Sequence, residues 1–470
     1  MTQRTESDAS PQSVAWRTLA IASLASLATF LDTTVLYVAF PDIAQSFPSV
    51  SSASLSWVLN AYTIVFAALL IPAGKTADRI GHKRAFLAGS ALFTIASVLC
   101  AVAPNVEVLI AFRVVQAAGA AALLPSSLAL ILRSFPRERV PLAVAIWGAT
   151  GAVAGAIGPT LGSALVEFAD WRWVFLINIP VGLLTVAAGL RSLRESRSPA
   201  TRIPSPLGVV LIAGAASLIS LSLVQTDVWG WLDGRTLAAL GAGLGLLTIF
   251  VAQQRRTTAP VIDLDLFESH NFRWANLATL VFGTGFSAMF FGSILFLTEV
   301  WGWSIFDAGL GVSPGPLLVA VLAPIFGRVA TRTGQRPLLI AGGLLFAVGA
   351  SWRLTFLDAS PDYVTEYLPS MLFTGTGVAL CLPQLAGVVA QSLAPDRLGV
   401  GGATNQATRQ FGGTFGVALA IAFVGHATTL SEALTGYDHV WWLLIAGGLG
   451  TSLLAIPLRT DRRVLEPRAD

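Results

Sequence analysis

Long apolar stretches separated by short polar loops follow one another along this chain. Each stretch holds about 20 mainly apolar residues, the length that an α-helix needs to cross the hydrocarbon core of a bilayer. The pattern therefore predicts an all-α integral membrane protein with fourteen transmembrane helices. They lie near residues 15–40, 54–73, 85–103, 107–132, 141–165, 172–190, 207–225, 235–252, 273–298, 308–327, 337–357, 366–390, 400–425 and 439–458.

Composition supports this division. Hydrophobic residues make up 54% of the 470 positions, charged residues make up only 12%, and the mean hydropathy is +0.71. Soluble domains carry roughly twice that charged fraction. The chain is therefore not an ordinary soluble domain, and we expect lipids to surround it.

The basic residues lie mainly on one side of the predicted membrane. If the N-terminus is cytoplasmic, the inner segments, with the helix ends beside them, hold 24 of the 29 lysines and arginines, and the outer segments hold Arg172, Arg235 and Arg353. Cytoplasmic loops are enriched in Lys and Arg. We therefore predict a multi-pass plasma-membrane protein with both termini cytoplasmic. The net charge of +3 reports this orientation and not an affinity for nucleic acid.

One loop pattern occurs twice. Residues 74–84 and 327–337 match at Gly, a basic residue, Ala, Arg, Gly and a second basic residue, with a constant offset of 253. Repeated halves with a site between them are typical of transporters. The offset exceeds what six helices need by about two spans. We predict a cytoplasmic tail (1–13), a six-helix bundle (14–205), an inserted helix pair (206–258), a second six-helix bundle (259–460) and a cytoplasmic tail (461–470).

Asp32 is the carboxylate that lies deep inside a predicted span. A charge at a helix centre costs about 2.5–3.5 kcal/mol on insertion scales, so intramembrane ions usually have a function. Arg113, on the fourth helix, lies at a depth within ~5 Å of Asp32. Burial disfavours an ionised carboxyl group and a neighbouring guanidinium favours it. A pair whose contact changes between conformations could couple protons to transport; a permanent structural ion pair is the alternative.

Several motifs resemble those of a known family. Gly74-x-x-x-Asp78-Arg79-x-Gly81-x-Lys83-Arg84 is similar to the loop signature of the major facilitator superfamily. Residues 31–41, 113–121, 171–182 and 409–413 resemble its fourteen-helix drug:proton antiporter branch, the EmrB/QacA type. The resemblance implies two six-helix bundles plus an inserted pair. It also implies a monomer that exports lipophilic or amphipathic small molecules by alternating access, driven by the proton gradient without a cofactor.

A second function within the same fold stays open. The chain could be a dedicated exporter of one self-made metabolite, lipid or siderophore. The sequence holds no Walker loop, no His/Cys cluster with metal-ligand spacing and no paired nucleophile and base, so we predict neither an enzyme nor a metal site.

The first loop is the candidate cytoplasmic gate. Its glycines allow a tight turn, and Asp78 near a neighbouring helix N-terminus would find dipole and hydrogen-bond partners. In the second loop Thr331 replaces the Asp, so only the first copy can supply that charge. An ordinary solvated loop is the alternative. The gate residues are Gly74, Asp78, Arg79, Gly81, Lys83 and Arg84.

The fifth helix resembles the antiporter signature at Gly155, Gly158, Pro159 and Gly162, with Ala154 and Ser163 in place of two glycines. Small residues allow helices to approach closely, and Pro is a site of bending. We expect tight helix packing here. Bending of this helix at Pro159 during transport is a second role that the pattern allows.

The candidate cavity residues are polar or aromatic side chains within the spans. Polar groups avoid lipid, whereas aromatic side chains can equally pack against lipid or the core. The candidates are Trp57, Asn60, Tyr62, Gln116, Asn178, Phe286, Phe290, Gln384, Gln406 and Arg409.

Arg409 has no acidic residue near it in the middle of any C-terminal span, and hydrogen bonding to helix carbonyls is its alternative role. Asp32, Arg113 and Arg409 leave the interior with a formal excess of positive charge. We therefore expect neutral, zwitterionic, anionic or monocationic substrates and poor export of dications.

Overall fold

The computed structural model describes residues 11–136, 139–197, 203–394, 397–425 and 429–460, and these residues are almost entirely helical. Residues 1–10 of the predicted N-terminal tail and the whole predicted tail 461–470 lie outside the described residues. Residues 11–13 belong to the first helix and not to a tail.

Each predicted span corresponds to one long helical segment. We number them α1 (Pro11–Ser46), α2 (Ser52–Ile80), α3 (His82–Ala101), α4 (Val106–Ser134), α5 (Val140–Phe168), α6 (Trp173–Ser192), α7 (Pro206–Val224), α8 (Gly234–Arg256), α9 (His270–Val300), α10 (Ile305–Thr333), α11 (Arg336–Phe356), α12 (Tyr363–Gln391), α13 (Leu398–Val424) and α14 (Leu430–Ala455).

The all-α membrane prediction is confirmed. Within the described residues, 13 helices are long and apolar enough to cross a membrane, namely α1 to α13. α14 has the length for it, with 26 residues, but it carries Asp438 and His439 in its first half. The count of fourteen spans and the side on which the termini lie remain predictions.

Polar loop side chains start several of these helices. Asn105 accepts a hydrogen bond from the backbone N–H of Val108 at 2.9 Å, at the start of α4. At the start of α14, Thr429 and Glu432 each accept the other's backbone N–H. These caps satisfy N–H groups that have no partner within the helix. The polar residues between the apolar stretches therefore set where the helices begin.

The repeat that marks the two loops extends into helix packing. In the first half α3 crosses α4, and a Cβ added to Gly119 would lie 2.6 Å from the backbone N of Phe93. In the second half α11 crosses α12, and a Cβ added to Gly377 would lie 2.7 Å from the carbonyl O of Gly342. Gly89, which faces Gly119, and Gly342 are separated by the same 253 positions as the loops.

The repeated loops form equivalent turns. Gly81, between α2 and α3, has φ = 114°, and Gly334, between α10 and α11, has φ = 77°. Only glycine adopts these angles readily. Each turn also contacts the segment that follows the last helix of its half: Gly81 lies against Glu195, and a Cβ on Gly334 would lie 2.6 Å from the carbonyl O of Thr460.

The inserted pair lies at the seam between the halves. α7 packs against α2 of the first half and α13 of the second, and α8 packs against α7. α2 and α13 also contact each other directly, where Thr63 and Thr414 share a hydrogen bond of 2.7 Å between their hydroxyl oxygens. The predicted segment 206–258 contains both helices of the pair; its bounds as a domain stay a prediction.

Candidate functional site

Asp32 and Arg113 form a buried ion pair between α1 and α4. Arg113 Nη1 donates to Asp32 Oδ2 at 2.6 Å, and the two side chains are each 1% exposed. Burying two charges is costly unless they are paired and further hydrogen-bonded. The membrane depths estimated from the sequence therefore identified two residues that contact each other in the structure.

Further hydrogen bonds complete this site, which we call the coupling site (Asp32, Ser97, Arg113, Gln116 and Asn178). Asp32 Oδ1 accepts from Gln116 Nε2 at 2.8 Å and from Asn178 Nδ2 at 3.1 Å. Ser97 Oγ accepts from the same two amides at 2.9 and 3.3 Å. Both carboxylate oxygens thus have donors, from helices α4 and α6, and the charge is held in place on several sides.

Arg113 makes two further hydrogen bonds. Nε donates to the carbonyl O of Val58 at 3.1 Å, and Nη1 also donates to Gln116 Oε1 at 2.6 Å. The guanidinium lies over the ring of Tyr62, with Cζ 4.0 Å from its centroid. A cation over an aromatic face is attracted to it. Arg113 therefore links α4 to α2 as well as to α1.

A large cavity lies between the two halves, with a volume of about 910 Å³. Pockets for small molecules commonly have 300–1,000 Å³ and apolar walls with a few polar groups. Eight long helices contribute most of its lining: α1, α2, α4 and α5 from the first half and α9, α10, α12 and α13 from the second. The cavity has the size and position for an amphipathic molecule.

The cavity reaches one end of the bundle and is closed at the other. Lys75, Asp78, His82 and Leu398 line it where the helices end at the predicted cytoplasmic side. Near the opposite end the halves touch: Thr160 Oγ1 and Ser313 Oγ share a hydrogen bond of 2.6 Å. The ring of Phe40 also meets that of Phe291 at 5.0 Å between centroids. The structure is therefore open toward the predicted cytoplasm.

Five predicted cavity candidates line the cavity: Tyr62, Phe286, Phe290, Gln406 and Arg409. The other five do not line it: Trp57, Asn60, Gln116, Asn178 and Gln384. Their placement in the cavity is corrected here. Gln116 and Asn178 are bound to Asp32, and Asn60 and Gln384 are buried between helices. Polarity within a span marks burial, but it does not say which interior surface the side chain faces.

Tyr62 separates the coupling site from the cavity. Its ring lines the cavity and lies against Arg113, whereas neither Asp32 nor Arg113 is among the lining residues. Its hydroxyl oxygen is buried and has no hydrogen-bond partner in the described part of the chain. Tyr62 therefore contacts both the coupling site and the cavity.

The predicted gate loop is held mainly by its own half. Glu195, beyond α6, accepts the backbone N–H of Lys83 at 3.1 Å and of Arg84 at 3.3 Å. Lys83 Nζ donates to the carbonyl O of Leu190 at 3.0 Å. The carboxylate at the N-terminus of α3 is thus Glu195, which the sequence reasoning missed.

Asp78 has a different environment from the one expected. It lies in the last turn of α2, it lines the mouth of the cavity, and its Oδ1 is 3.3 Å from His82 Nε2. Gly74 packs against Pro125, and Arg79 is exposed. In this conformation Asp78 meets the side chain of the first residue of α3, and the backbone N–H groups at the start of that helix donate to Glu195. The role as a latch stays a prediction.

The antiporter glycines divide into two kinds. A Cβ on Gly158 would collide with Thr34, and one on Gly162 would lie 2.9 Å from Val35 Cγ1, so α1 and α5 touch there. Gly155 has open space and lines the cavity. On the other side of α5, the carbonyl O of Pro159 faces Gly309 of α10. This segment thus contacts both halves at once.

Arg353 is the largest departure from the sequence analysis. The charge count places it with the outer segments, but in the structure it lies in the last turn of α11, is 1% exposed, and lines the cavity. Its Nη1 donates to Ser293 Oγ at 2.7 Å and its Nε to Ser370 Oγ at 3.0 Å. The available signal was its position three residues before the end of an otherwise apolar run.

Comparison with known proteins shows which family this chain resembles in sequence. The profile of the Major Facilitator Superfamily matches residues 22–251 and 275–469. The methylenomycin A resistance protein of Streptomyces coelicolor is 32% identical over 91% of this chain and 86% of its own. A cephamycin export protein of Amycolatopsis lactamdurans is 34% identical over 90% and 88%. A multidrug resistance protein of Mycobacterium tuberculosis is 32% identical over 86% and 74%.

Solved structures are similar in fold. A D-xylose–proton symporter superposes with a TM-score of 0.67 at 16% identity and covers 94% of this chain and 97% of its own. The nucleoside transporter NupG gives a TM-score of 0.65 at 13% identity, over 94% and 99%. At these identities the likeness concerns the fold.

Proposed function

Because this chain belongs to the major facilitator superfamily, we propose that it is an antiporter that moves an amphipathic small molecule out of the cell while protons move in. Two relatives that match most of the chain are named for export, and others are named for resistance to an antibiotic or to several drugs. The chain is a multi-pass protein of the plasma membrane. The finer subtype that we assign is the fourteen-helix drug:proton branch, with both termini cytoplasmic.

The observation that supports proton coupling is the position of Asp32. It is a buried carboxylate paired with Arg113, and Arg113 lies against Tyr62, whose ring lines a substrate-sized cavity. A carboxylate that only anchored helices would not need to lie one side chain away from the transport route. Protonation would release Asp32 from Arg113, and the freed guanidinium could then move with α4.

The open and closed ends of the cavity support transport by alternating access. The cavity is open beside Lys75 and Asp78 and closed where α5 meets α10. Substrate enters from the cytoplasm in this conformation, and the outer contacts break when the halves rock. The proton gradient supplies the energy, so the proposal includes no cofactor, no metal and no enzymatic reaction. We propose that the unit in the membrane is a monomer.

A dedicated exporter is the second candidate. One relative is named for the export of cephamycin, whereas another is named for multidrug resistance. Transport of many unrelated compounds favours the multidrug exporter, and transport of one compound and its close analogues favours the dedicated exporter.

Proteoliposomes with an imposed pH gradient test the proposal. We expect a proton concentration that is higher on the outer face than on the cytoplasmic face to drive the uphill export of at least one compound from a panel of amphipathic compounds. We also expect collapse of the gradient by a protonophore to stop it. Equal flux with and without the gradient, for every compound that the protein moves, would rule out proton coupling.

A further inference from the structure

Arg353 lies at the closed end of the cavity. α11 starts at the cytoplasmic side, and Arg353 is 17 residues further along, which is about 26 Å at 1.5 Å per residue. Ser293 of α9, which it contacts, and Met371 of α12, which follows its partner Ser370, also line the cavity. A molecule that enters from the cytoplasm therefore meets this guanidinium at the far end of its path.

No carboxylate forms an ion pair with Arg353 among the residues that the structure describes. Its two hydrogen bonds go to the neutral hydroxyls of Ser293 and Ser370, which use two of the five guanidinium N–H donors. The rings of Tyr367 and Trp441 lie 5.1 and 4.8 Å from Cζ. These groups hold the guanidinium in one orientation, but they do not neutralise it.

The charges along the cavity wall are unequal. Among the described lining residues, the one carboxylate is Asp78, which lies at the cytoplasmic mouth beside Lys75 and His82. Further in, Arg353 and Arg409 line the cavity and no acidic residue does. Asp32 does not change this sum, because it lies behind Tyr62 and is paired with Arg113. The deep part of the cavity is therefore cationic.

We infer that Arg353 binds the carboxylate of an amphipathic anionic substrate in the cationic part of the cavity that Arg409 also lines, and that the apolar part of the substrate packs against the aromatic wall formed by Phe286 and Phe290. This inference rests on the proposed export function and names its substrate class. A charge buried without an opposite charge is unfavourable, and a guanidinium matches a carboxylate with two parallel hydrogen bonds. A carboxylate at this end would supply the missing partner.

The binding test uses two probes that differ in one charge. Dansyl-leucine carries a carboxylate at pH 7.5, and dansyl-leucinamide is its neutral analogue. Both can be titrated by fluorescence against the purified full-length protein in detergent, without a gradient. We expect the wild-type protein to bind the acid about tenfold or more tightly than the amide, which corresponds to about 1.4 kcal/mol.

Variants then assign the preference to Arg353. We expect Arg353→Gln to remove the preference for the acid while leaving amide binding unchanged, and Arg353→Lys to restore part of it. Arg409→Gln should reduce the preference to a smaller extent. The matched control is Arg235→Gln, which removes one exposed arginine at the start of α8 and should leave both affinities unchanged.

Three results would overturn the inference: equal binding of acid and amide by the wild-type protein, an equal loss of both in Arg353→Gln, or no detectable binding of dansyl-leucine up to its solubility. If Arg353→Gln does not fold, the wild-type ratio of the two affinities and the Arg409→Gln variant decide.

Failure of the proposed function would give a different result. Arg353-dependent binding of the acid without gradient-driven flux would contradict antiport alone, and gradient-driven flux of the amide but not the acid would contradict this inference alone.

Discussion

The ring of Tyr62 lies between the guanidinium of Arg113 and the cavity: Cζ of Arg113 is 4.0 Å from the ring centroid, and Tyr62 lines the cavity while Arg113 does not. Asp32, which is paired with Arg113, therefore lies close to the cavity without lining it. The coupling site and the substrate site are therefore neighbouring compartments with one aromatic wall in common.

Replacement of Tyr62 tests whether this wall controls coupling. Tyr62→Phe keeps the ring and loses only a hydroxyl group that has no hydrogen-bond partner in the described structure, so we expect nearly normal antiport. Tyr62→Leu removes the cation–π contact, worth about 0.5–2 kcal/mol, and should let protons leak without substrate. The measurement is the ratio of proton flux to substrate flux in proteoliposomes. A normal ratio in Tyr62→Leu would contradict this role.

Replacement of Asp32 tests the proton carrier. Asp32→Asn keeps the volume and one of the two oxygens that accept from Arg113, Gln116 and Asn178, but it removes titration. We expect uphill, pH-driven export to be abolished while the protein still folds and binds substrate. The measurements are gradient-driven flux and equilibrium binding on the same preparation. Undiminished gradient-driven transport by this variant would end the assignment of Asp32 as proton carrier.

The gate loop should change transport more than affinity. Asp78, Arg79 and Lys83 lie away from the deep part of the cavity. The variants are Asp78→Asn and a double variant in which Arg79 and Lys83 are both neutralised. A latch biases the balance between conformations and not the contacts with substrate, so we expect a lower transport rate with nearly unchanged equilibrium affinity. Glu195→Gln is a useful comparison, because it weakens the attachment of the loop to its own half. Loss of binding equal to the loss of transport would mean that the loop shapes the site.

Two glycines of α5 form a matched pair for the helix-contact prediction. In Gly158→Ala the new Cβ meets the β-branched side chain of Thr34, whereas in Gly155→Ala it meets open space. We expect Gly158→Ala to cost about 1–3 kcal/mol of stability, as overpacking does, and Gly155→Ala to leave stability nearly unchanged. The check is the thermal midpoint of each purified variant in the same detergent. Equal midpoints would show that α1 and α5 do not approach this closely.

Substrate charge gives a prediction about the whole cavity. The deep part carries Arg353 and Arg409 without an acidic lining residue among those described, so a second positive charge on a substrate finds no partner there. We expect a dication to be exported poorly compared with a monovalent analogue of similar lipophilicity. Efflux of such a pair from cells that express the protein is the measurement. Matching rates for the two compounds would contradict a cationic cavity.

The sequence by itself determined the features that depend on composition along the chain. The fourteen helical stretches follow from local hydropathy, because burial of a backbone in lipid requires a long apolar helix. The loop repeat predicted two related halves, and the structure extends it to equivalent glycine turns at Gly81 and Gly334. Asp32 and Arg113 could be paired from their depths, because helix rise converts residue number into distance.

The tertiary structure decided which way each helix faces. In a membrane protein both the lipid-facing and the core-facing sides are apolar, so hydropathy does not reveal the rotation of a helix about its axis. Gln116 and Asn178 therefore bind Asp32 instead of lining the cavity, and Arg353 is buried against other helices instead of facing the outer side of the membrane. Glu195 holds the turn at Gly81 from 114 positions away, a contact that only the packing of α6 beside α3 creates.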